Sequence, residues 1–368
     1  MIQFDSEKLA PCSHTDLALF ESLGLTINEA VTHTETGVIR HYLDELGQCI
    51  PGVYRNLPAA DYHQAPAYSH SQLKVLINQS AKHFYCQFIE SDKTTNNQKP
   101  ASYLTTGEFI HTLCLEPDKV YQRYYCDLAI EDYPTALKTT TDIDRALVQL
   151  KQPKTKIGER KAGKIARLLS VDPDIEVWDQ LLLDHREQPE HQHKTPIAKT
   201  TWLQAHQAIN AIYERPEARE ALSAGICELS LFATCPITQL PLKCRIDWLT
   251  PTLHLWDLKT ADTANPVLWK SKAAKYGYQY QDAFYRYVFE MCTGLLPSGF
   301  DFLVVEYQDV AICEPITFNE KTKQLADEQV IQALLKLKSC LEDNQWPGYT
   351  DAGTTILNLT PWLSKVRL

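Results

Sequence analysis

The sequence predicts an α/β (α+β) fold in which helices flank a mixed central β-sheet. The first observation is a set of apolar runs with strand-like alternation, separated by Pro and Gly. These predicted strands cover about 226–234, 241–249, 253–259, 300–307 and 310–317. The second observation is a helical segment, 279–293, between the third and fourth strands. A strand, a helix and a further strand in this order are typical of a sheet with helices packed on its faces.

The other predicted elements follow from turn and cap residues. Pro236 and Pro241 mark a turn that makes the first two strands a hairpin. Ser69 or Ser71 caps an amphipathic helix over 69–90. Further helices are predicted at about 104–115, 197–224, where Pro216 interrupts the pattern, and 319–343. Residues 1–50 show only weak helical periodicity.

Two carboxylates and one ammonium lie on neighbouring predicted strands. Asp257 and Lys259 are two residues apart, so they point to the same face of a strand while Leu258 turns into the core. Asp247 joins them from the preceding strand. Mg²⁺ binds carboxylate oxygen, and a nearby lysine can orient a water for attack on a phosphate. Taken alone, these residues also fit a surface ion pair on two half-buried strands.

Three further segments carry polar residues that agree with a catalytic centre. Gln281 and Tyr285 are four residues apart on a predicted helix and therefore share a face. His111 follows the start of another helix by one turn. Glu228 lies among apolar residues of a predicted strand, where a buried carboxylate needs a partner.

At these residues the chain resembles the RecE-like exonucleases (exonuclease VIII type), a branch of the PD-(D/E)XK nuclease superfamily that includes lambda exonuclease and the RecB nuclease domain. The stretches 52–54, 62–63, 69–76 and 81–84 resemble the family's N-terminal helix, and 107–111 with 115–117 resemble its histidine motif. The remaining motifs match in order at 245–247, 257–260 and 281–285. Ile246-Asp247 stands where the superfamily name has proline-aspartate. The likeness runs from about residue 50 to residue 310, and its specificity comes from the order of short motifs.

The resemblance implies a restriction-endonuclease-like PD-(D/E)XK core with N-terminal helical elaboration, and a role for each matching residue. It makes Asp247 and Asp257 the principal metal ligands and the Leu258 carbonyl a further ligand. Lys259 would position the attacking water. His111 would bind metal or contact the scissile region.

Alternatives remain open for several of these residues. Glu228 either completes the shell of a second metal ion or is a structural acid paired with Arg245. Gln281 and Tyr285 orient the active site or hold the DNA backbone, or else Tyr285 packs into the core while Gln281 caps a strand edge. For His111 the alternative is a hydrogen-bonded core histidine.

The implied cofactor is Mg²⁺ or Mn²⁺, with two ions expected. The chain has 11 cysteines, scattered through apolar segments such as those of Cys86, Cys114, Cys227 and Cys292, and they are interpreted as reduced core residues. Nothing resembles the C-terminal cysteine triplet with which some related nucleases hold an iron-sulfur cluster, so no such cluster is expected.

The domain prediction follows from motif positions and length. Residues 1–50 are an N-terminal extension, 51–345 a PD-(D/E)XK nuclease domain with an insertion near 130–200 that carries no motif, and 346–368 a C-terminal tail. The N-terminus has no basic start followed by an apolar stretch, and no run approaches the ~18 apolar residues of a membrane span, so a cytoplasmic protein without membrane contact is expected.

The net charge of −10 is unusual for a DNA-binding enzyme, yet two basic clusters stand out. The stretch 151–167 carries seven positive charges and is either a DNA backbone arm or an ordinary charged helix face. Lys270, Lys272 and Lys275 are interleaved with Trp269 and Tyr276, so a DNA-binding role with stacking on an unpaired base is predicted.

The predicted function is a Mg²⁺-dependent exodeoxyribonuclease that degrades double-stranded DNA from 5′ ends in phage-type or prophage homologous recombination. Polarity, a ring-like homo-oligomer and a RecT-type single-strand annealing partner come from the resemblance alone. One alternative is a structure-selective or restriction-type endonuclease of the same superfamily. Another is a non-catalytic DNA-binding or assembly protein that keeps the fold.

Overall fold

A mixed seven-stranded sheet forms the centre of the computed structural model, which describes residues 15–34, 37–90, 102–154, 158–350, 354 and 356, with only the backbone at 102–104. The strands are β1 (Ile27–Glu29), β2 (Val31–Thr34), β3 (Gly37–Arg40), β4 (Gly52–Arg55), β5 (Tyr124–Cys126), β6 (Thr195–Ile197), β7 (Ile226–Thr234), β8 (Pro241–Leu249), β9 (His254–Ala261), β10 (Gly299–Glu306) and β11 (Ile312–Ile316). The central sheet has the order β1-β4-β7-β8-β9-β10-β11, and β2-β3 and β5-β6 form two small separate sheets.

Both parallel and antiparallel pairs occur in the central sheet. The pairs β1-β4 and β9-β10 are parallel, and the four others are antiparallel. Two helices connect the parallel neighbours β9 and β10, as a parallel connection requires.

Helices cover both faces of this sheet. They are α1 (Leu17–Ser22), α2 (Ala59–Gln64), α3 (His70–Asn78), α4 (Ala81–Phe84), α5 (Ser102–Leu115), α6 (Val120–Arg123), α7 (Thr140–Gln149), α8 (Lys161–Val171), α9 (Trp178–Arg186), α10 (Lys199–Glu214), α11 (Pro216–Leu222), α12 (Pro266–Tyr276), α13 (Tyr278–Thr293) and α14 (Glu320–Asp343). A π-helical segment, Tyr85–Ile89, continues α4.

The alternation of side chains along β10 divides the core between the two faces. Phe302 and Val304 pack with α3, α13 and α14, whereas Leu303 and Val305 pack with α5, α10 and α11. Successive strand residues point to opposite sides, so one strand serves both layers. This two-sided burial is why the predicted strands are almost continuously apolar.

The segment between α6 and α10 forms a satellite of the main fold. Its helices α7 and α8 bury a small apolar cluster of their own that includes Ile143, Leu147 and Leu168. The strands β5 and β6 pair with each other in parallel and bring the two ends of this segment together. The prediction of an insertion near 130–200, and the division into 1–50, 51–345 and 346–368, stay predictions. Residues 1–14 and most of the tail lie outside the described part.

The predicted fold class is confirmed: the chain is an α/β protein with a mixed central sheet flanked by helices, as in PD-(D/E)XK nucleases. The hairpin β7-β8, the helix α13 and the interruption at Pro216 lie where the sequence predicts them. Two expectations were wrong. Residues 52–55 form strand β4 instead of part of a helix, and the helix expected over 69–90 is broken at Gln79 and Ser80.

Ser69, and not Ser71, is the N-cap of α3, because its backbone N–H donates to the side chain of Gln72 at 2.9 Å. In the described part of the chain no helix has the length and apolar character needed to cross a bilayer. The ten described cysteines are thiols, and Cys86 is exposed, so the prediction of a core position was wrong for that residue.

Candidate active site

The predicted carboxylates meet where two neighbouring strands separate. β8 and β9 pair only through Leu249↔Leu255 and Trp248↔Trp256. Beyond these pairs the hydrogen-bonded ladder ends and β8 and β9 diverge, and we call this divergence the fork. Asp247 and Asp257, the residues that would form the next pair, lie where it opens. The N–H of Leu258 donates to Asp247 Oδ2 at 2.8 Å instead of to a strand partner. The N–H and C=O of one strand residue point to the same side, so the Leu258 carbonyl also faces the fork, in agreement with its predicted role.

A break in side-chain alternation brings Glu228 to the same place. Ile226 and Leu229 of β7 pack in one core cluster, although residues three apart in a regular strand face opposite sides. The change of phase occurs at Glu228, whose φ of 55° lies in the left-handed region. The pairs Cys227↔Trp248 and Leu229↔Ile246 keep the register of β7 with β8 on either side. Glu228 and Asp247, which lie between them, do not pair. Such a backbone is unfavourable by roughly 1–3 kcal/mol for a residue with a Cβ and is found mainly at functional sites.

Helix α5 contributes His111, which lies between these two carboxylates. Its Nε2 is 3.1 Å from Asp247 Oδ2, and its Nδ1 is 3.5 Å from Glu228 Oε1. The second oxygen of Glu228, Oε2, is 3.6 Å from Arg245 Nη1. Glu228 therefore lies between two groups. His111, a candidate metal ligand, is on one side, and Arg245, the predicted structural partner, is on the other.

Gly107 allows α5 to approach β9 closely enough for this contact. A Cβ at Gly107 would lie 3.0 Å from the hydroxyl oxygen of Thr260. His111 follows one turn later on the same helix. The glycine thus determines how near the imidazole comes to the strand carboxylates.

Asp257 is held by two side chains on the other face of the sheet. Its exposed fraction is 2%, Gln281 donates its amide to Oδ2, and Lys259 forms an ion pair with Oδ1. Lys259 Nζ in turn lies over the ring of Tyr278, 5.0 Å from the centroid. The predicted pair Asp257 and Lys259 is therefore an ion pair in which Asp257 is buried and Lys259 is partly exposed.

Tyr285 packs in the core and also reaches the wall of a cavity, and its predicted role at the active site stays a prediction. It packs edge-on against Phe300, with 5.7 Å between ring centroids, within the main core. It also lines a cavity of about 660 Å³ together with His111 and Asp247. Gln281 contacts Asp257 directly, so it orients an active-site carboxylate instead of capping a strand edge.

The charges of this cluster shift each other's ionisation. Burial alone would lower the pKa of His111, but the neighbouring Asp247 and Glu228 raise it to about 9. Burial and the charge of Asp247 raise the pKa of Asp257 to about 6. Burial would lower the pKa of Lys259, yet Asp257 and Asp247 hold it above its ordinary value. In this arrangement His111 and Lys259 are the cations that balance the buried acids.

The donor set fits a divalent metal ion. One ligand atom each from His111, Glu228 and Asp247 lies within 4.8 Å of the others, a spacing compatible with a shared cation. Two carboxylates and an imidazole suit Mn²⁺ well and Mg²⁺ through the oxygens. The protonated imidazole of His111 lies between Glu228 and Asp247. It provides there the positive charge that a bound metal ion would otherwise provide. Asp257 lies beside this group and contacts Lys259 and Gln281.

A second layer of residues holds Arg245 in place, and few sequence patterns pointed to it. Its guanidinium stacks on Tyr62, 4.4 Å from the ring centroid, and donates to Ser230 Oγ and Leu57 O at 3.0 and 2.8 Å. Lys243 anchors the same region through three backbone carbonyls at the end of α2. Alternation along β8 places residues 243 and 245 on one face, and this was the signal available.

The predicted DNA-binding lysines lie on α12, a helix that the sequence analysis did not identify. Lys270 and Lys275 are exposed, and Lys272 forms an ion pair with Asp262 at the rim of a cavity beside Lys259. Trp269 is buried in the core with an exposed fraction of 2%, so its predicted stacking on a base was wrong. It stacks instead on Tyr278.

Three of the seven basic residues in the stretch 151–167 form ion pairs within the satellite. Lys164 Nζ is 2.7 Å from Asp144 Oδ1, and both side chains are nearly buried. Arg167 pairs with Glu159, and Lys161 with Asp179. These contacts favour the ordinary helix face over a DNA arm, and Lys156 lies outside the described residues.

Two comparisons with known proteins found a match. A family model described as "PDDEXK-like domain of unknown function (DUF3799)" matches residues 69–356, a span that contains every predicted site residue. A crystal structure described as "Putative exonuclease" from Eubacterium rectale has 13% sequence identity, and the match covers 84% of the chain and 99% of that protein with a TM-score of 0.40. No protein with a curated description matches the chain.

Proposed function

Because the chain belongs to the family of PDDEXK-like domains of unknown function (DUF3799), we propose that it is a metal-dependent deoxyribonuclease, and more narrowly a RecE-like exonuclease that degrades double-stranded DNA from 5′ ends. The observation that supports it most is the fork between β8 and β9. There His111, Glu228 and Asp247 surround one space, with Asp257 and Lys259 beside it.

The proposed reaction is hydrolysis of a phosphodiester bond. A divalent ion bound at this site would act as a Lewis acid and lower the pKa of a bound water. His111, Glu228, Asp247 and the Leu258 carbonyl are the groups that would hold it, and Asp257 remains a proposed ligand beside them. Two ions, Mg²⁺ or Mn²⁺, remain part of the proposal.

Lys259 has the position of the residue that directs the nucleophile. The raised pKa keeps its ammonium charged, so it acts as a hydrogen-bond donor and not as a base. In that state it orients the attacking water and stabilises negative charge that develops on the phosphate. Gln281 fixes the carboxylate of Asp257, and Asp257 together with Tyr278 fixes the position of Lys259.

The biological setting of the proposal comes from the resemblance. It includes a role in phage-type recombination, a ring-like homo-oligomer around duplex DNA and a RecT-type annealing protein as partner. The molar mass of the purified protein in solution, measured by light scattering, tests the ring. A monomer that digests DNA processively would contradict that part while leaving the nuclease intact.

The deciding experiment is digestion of a linear duplex labelled at one 5′ end, with Mg²⁺, with Mn²⁺ and with EDTA, beside a closed circular duplex. Metal-dependent release of the label in short products, with the circle spared, supports the exonuclease. Cutting of the circle makes a structure-selective or restriction-type endonuclease the better conclusion. Intact substrates under every divalent metal would leave a DNA-binding or assembly protein.

Substitutions in the fork test the site itself. We expect Asp257→Ala to lower cleavage at least about 100-fold, because a carboxylate bordering the metal is lost. Lys259→Ala should slow cleavage similarly while metal binding, followed by calorimetry with Mn²⁺, is largely kept. Asp184→Ala on α9 is the matched control and should cut normally. Normal cleavage by both fork variants would show that the site lies elsewhere.

A further inference from the structure

A second cavity adjoins the active site on the side of Lys259. Its volume is about 750 Å³, within the range of sites that hold small-molecule groups. It lies between α5 and α12, with Lys259 and His111 at its inner end. His111 also lines the cavity on the Asp247 side, so the two cavities flank the fork.

Aromatic side chains form much of this second cavity. Tyr276, Tyr278 and Tyr307 line it. The ring centroids of Tyr276 and Tyr278 are 5.8 Å apart, with 31° between the ring planes. Tyr278 in turn stacks on Trp269, which is buried in the core. Tyr276 is at the outer end, with 46% of its surface exposed. A rigid, buried support thus carries an accessible aromatic face.

Polar groups complete the surroundings of these rings. Lys272 lies at the rim with Asp262, and Gln308 offers an amide beside Tyr307. Lys275 Nζ is 5.8 Å from the ring centroid of Tyr276 on α12. An aromatic face and an amide that can donate and accept are features that bind a base, and the Lys259 ammonium at the inner end is the cation nearest the place of the adjoining phosphate.

We propose that this cavity holds the base of an unpaired DNA nucleotide next to the scissile phosphate. The inference deepens the proposed nuclease function and rests on it. Tyr276 and Tyr307 stack on the base while the adjoining phosphate lies at Lys259. The cavity lies between two helices, so a base reaches it only after leaving the duplex stack. The substrate of the site is therefore a frayed or single-stranded end, including the melted end of a duplex.

Binding without cleavage tests the proposal directly. Single-stranded 12-nucleotide DNA is prepared with 2-aminopurine at successive positions, and its fluorescence is measured with the full chain in Ca²⁺ in place of Mg²⁺. We expect quenching at one or two adjacent positions, and about 5-fold or greater weakening of this binding in Tyr276→Ala. Tyr276→Phe should retain the quenching, because the ring face is kept. Tyr349→Ala, at an exposed tyrosine that does not line the cavity, is the matched control.

The duplex arm of the same experiment separates unpaired from paired bases. Quenching should appear for 2-aminopurine at a frayed duplex end and be absent at an internal position of a blunt duplex. Equal quenching in Tyr276→Ala and the unmodified chain, or quenching that is the same at internal paired positions, would overturn the proposal. If Tyr276→Ala is poorly folded by circular dichroism, Tyr307→Ala and Tyr276→Phe provide the comparison.

A coupling measurement links the cavity to cleavage. Replacing the nucleotide beside the cut with an abasic one should lower kcat/KM about 5- to 100-fold in the unmodified chain, and have little effect in Tyr276→Ala. Equal losses in both proteins would rule out stacking in the cavity. If the unmodified chain cleaves no DNA in Mg²⁺ or Mn²⁺, the proposed nuclease function is wrong. The 2-aminopurine fluorescence of DNA mixed with the Lys259→Ala variant would then still show whether the cavity binds a base.

Discussion

Single residues determine the geometry of this site more than whole elements do. Glu228 has a left-handed backbone within a strand, and that one conformation turns its carboxylate toward His111. Asp247 reaches the same point because the ladders on both sides of it are interrupted. Residues held in unfavourable conformations persist where the surrounding structure requires them, so Glu228 is a candidate for function on backbone grounds alone.

The backbone of Glu228 leads to a prediction about stability. Glycine adopts φ of 55° without the steric penalty of a Cβ. We therefore expect Glu228→Gly to be more stable than Glu228→Ala by about 1 kcal/mol, the reverse of the usual order in a strand. Urea unfolding of the two metal-free variants measures the difference. Both variants should lose Mn²⁺ affinity alike, and an alanine variant as stable as the glycine one would show that this backbone is relaxed.

At the scale of elements, the joint between α3 and α13 orients the helix that carries Gln281. His70 Nε2 is 3.1 Å from the carbonyl of Gly277, the left-handed residue that separates α12 from α13. The carbonyl accepts this hydrogen bond, so Nε2 of His70 carries a proton. Burial lowers the pKa of His70 to about 3, with a smaller contribution from Lys74 and Lys259.

This joint predicts an acid-sensitive stability. Above the unfolded-state value of about 6.5 His70 is neutral in both states, whereas between 6.5 and about 3 only the unfolded chain binds the proton. Stability should fall as pH decreases through this window, by up to about 1.4 kcal/mol per pH unit from this group. His70→Gln keeps a donor and does not titrate, so its unfolding free energy should depend less steeply on pH. Parallel curves for the two proteins would contradict the assignment.

The buried pair of α7 and α8 supports the satellite and not a DNA contact. We expect Lys164→Met to destabilise this unit by about 3 kcal/mol, because Asp144 is left buried without a partner. Lys161→Ala, which removes a more exposed pair, should change stability by less than about 1 kcal/mol. Hydrogen exchange in α7 and α8 measures both. Neither variant should weaken DNA binding, and a loss of DNA affinity at unchanged stability would restore the backbone-arm interpretation.

The whole molecule carries a net charge of −10, which sets how it meets DNA. Several of its cations, among them Lys164, Arg167 and Lys272, are already paired with carboxylates. Long-range attraction to phosphate is therefore expected to be weak, and under the proposed function the main DNA contacts would be those inside the two cavities of the fork. A bound divalent ion would reduce the local excess of negative charge at the same place.

This charge balance predicts a shallow salt dependence. The slope of log affinity against log salt concentration should be smaller in magnitude than about 3, because few phosphates are neutralised by free surface lysines. Fluorescence anisotropy of a labelled duplex in Ca²⁺ at several KCl concentrations measures it. A slope near −6 or steeper would reveal a basic track that the paired residues do not provide.

Sequence patterns identified the strands β7 to β11, helix α13 and the residues of the fork because alternation and spacing act over a few neighbours, whereas the short strands β1 to β6 were missed. Asp257 and Lys259 follow from strand period, and Gln281 from helix period. The change of phase at Glu228 was not predictable, since it depends on the opposite strand and on α5. The burial of Trp269 was missed for a related reason: α12 has a mixed face whose direction is decided by packing against Tyr278.

The position of His111 on α5 has a kinetic consequence for the chain. Its partners Glu228 and Asp247 come from a much later part of the sequence, so their contact is of high contact order and forms after the local hairpin β7-β8. A folding intermediate with the sheet assembled but α5 undocked would hold an incomplete ligand set. If the chain is the proposed nuclease, nascent or partly unfolded copies would then lack activity until α5 docks.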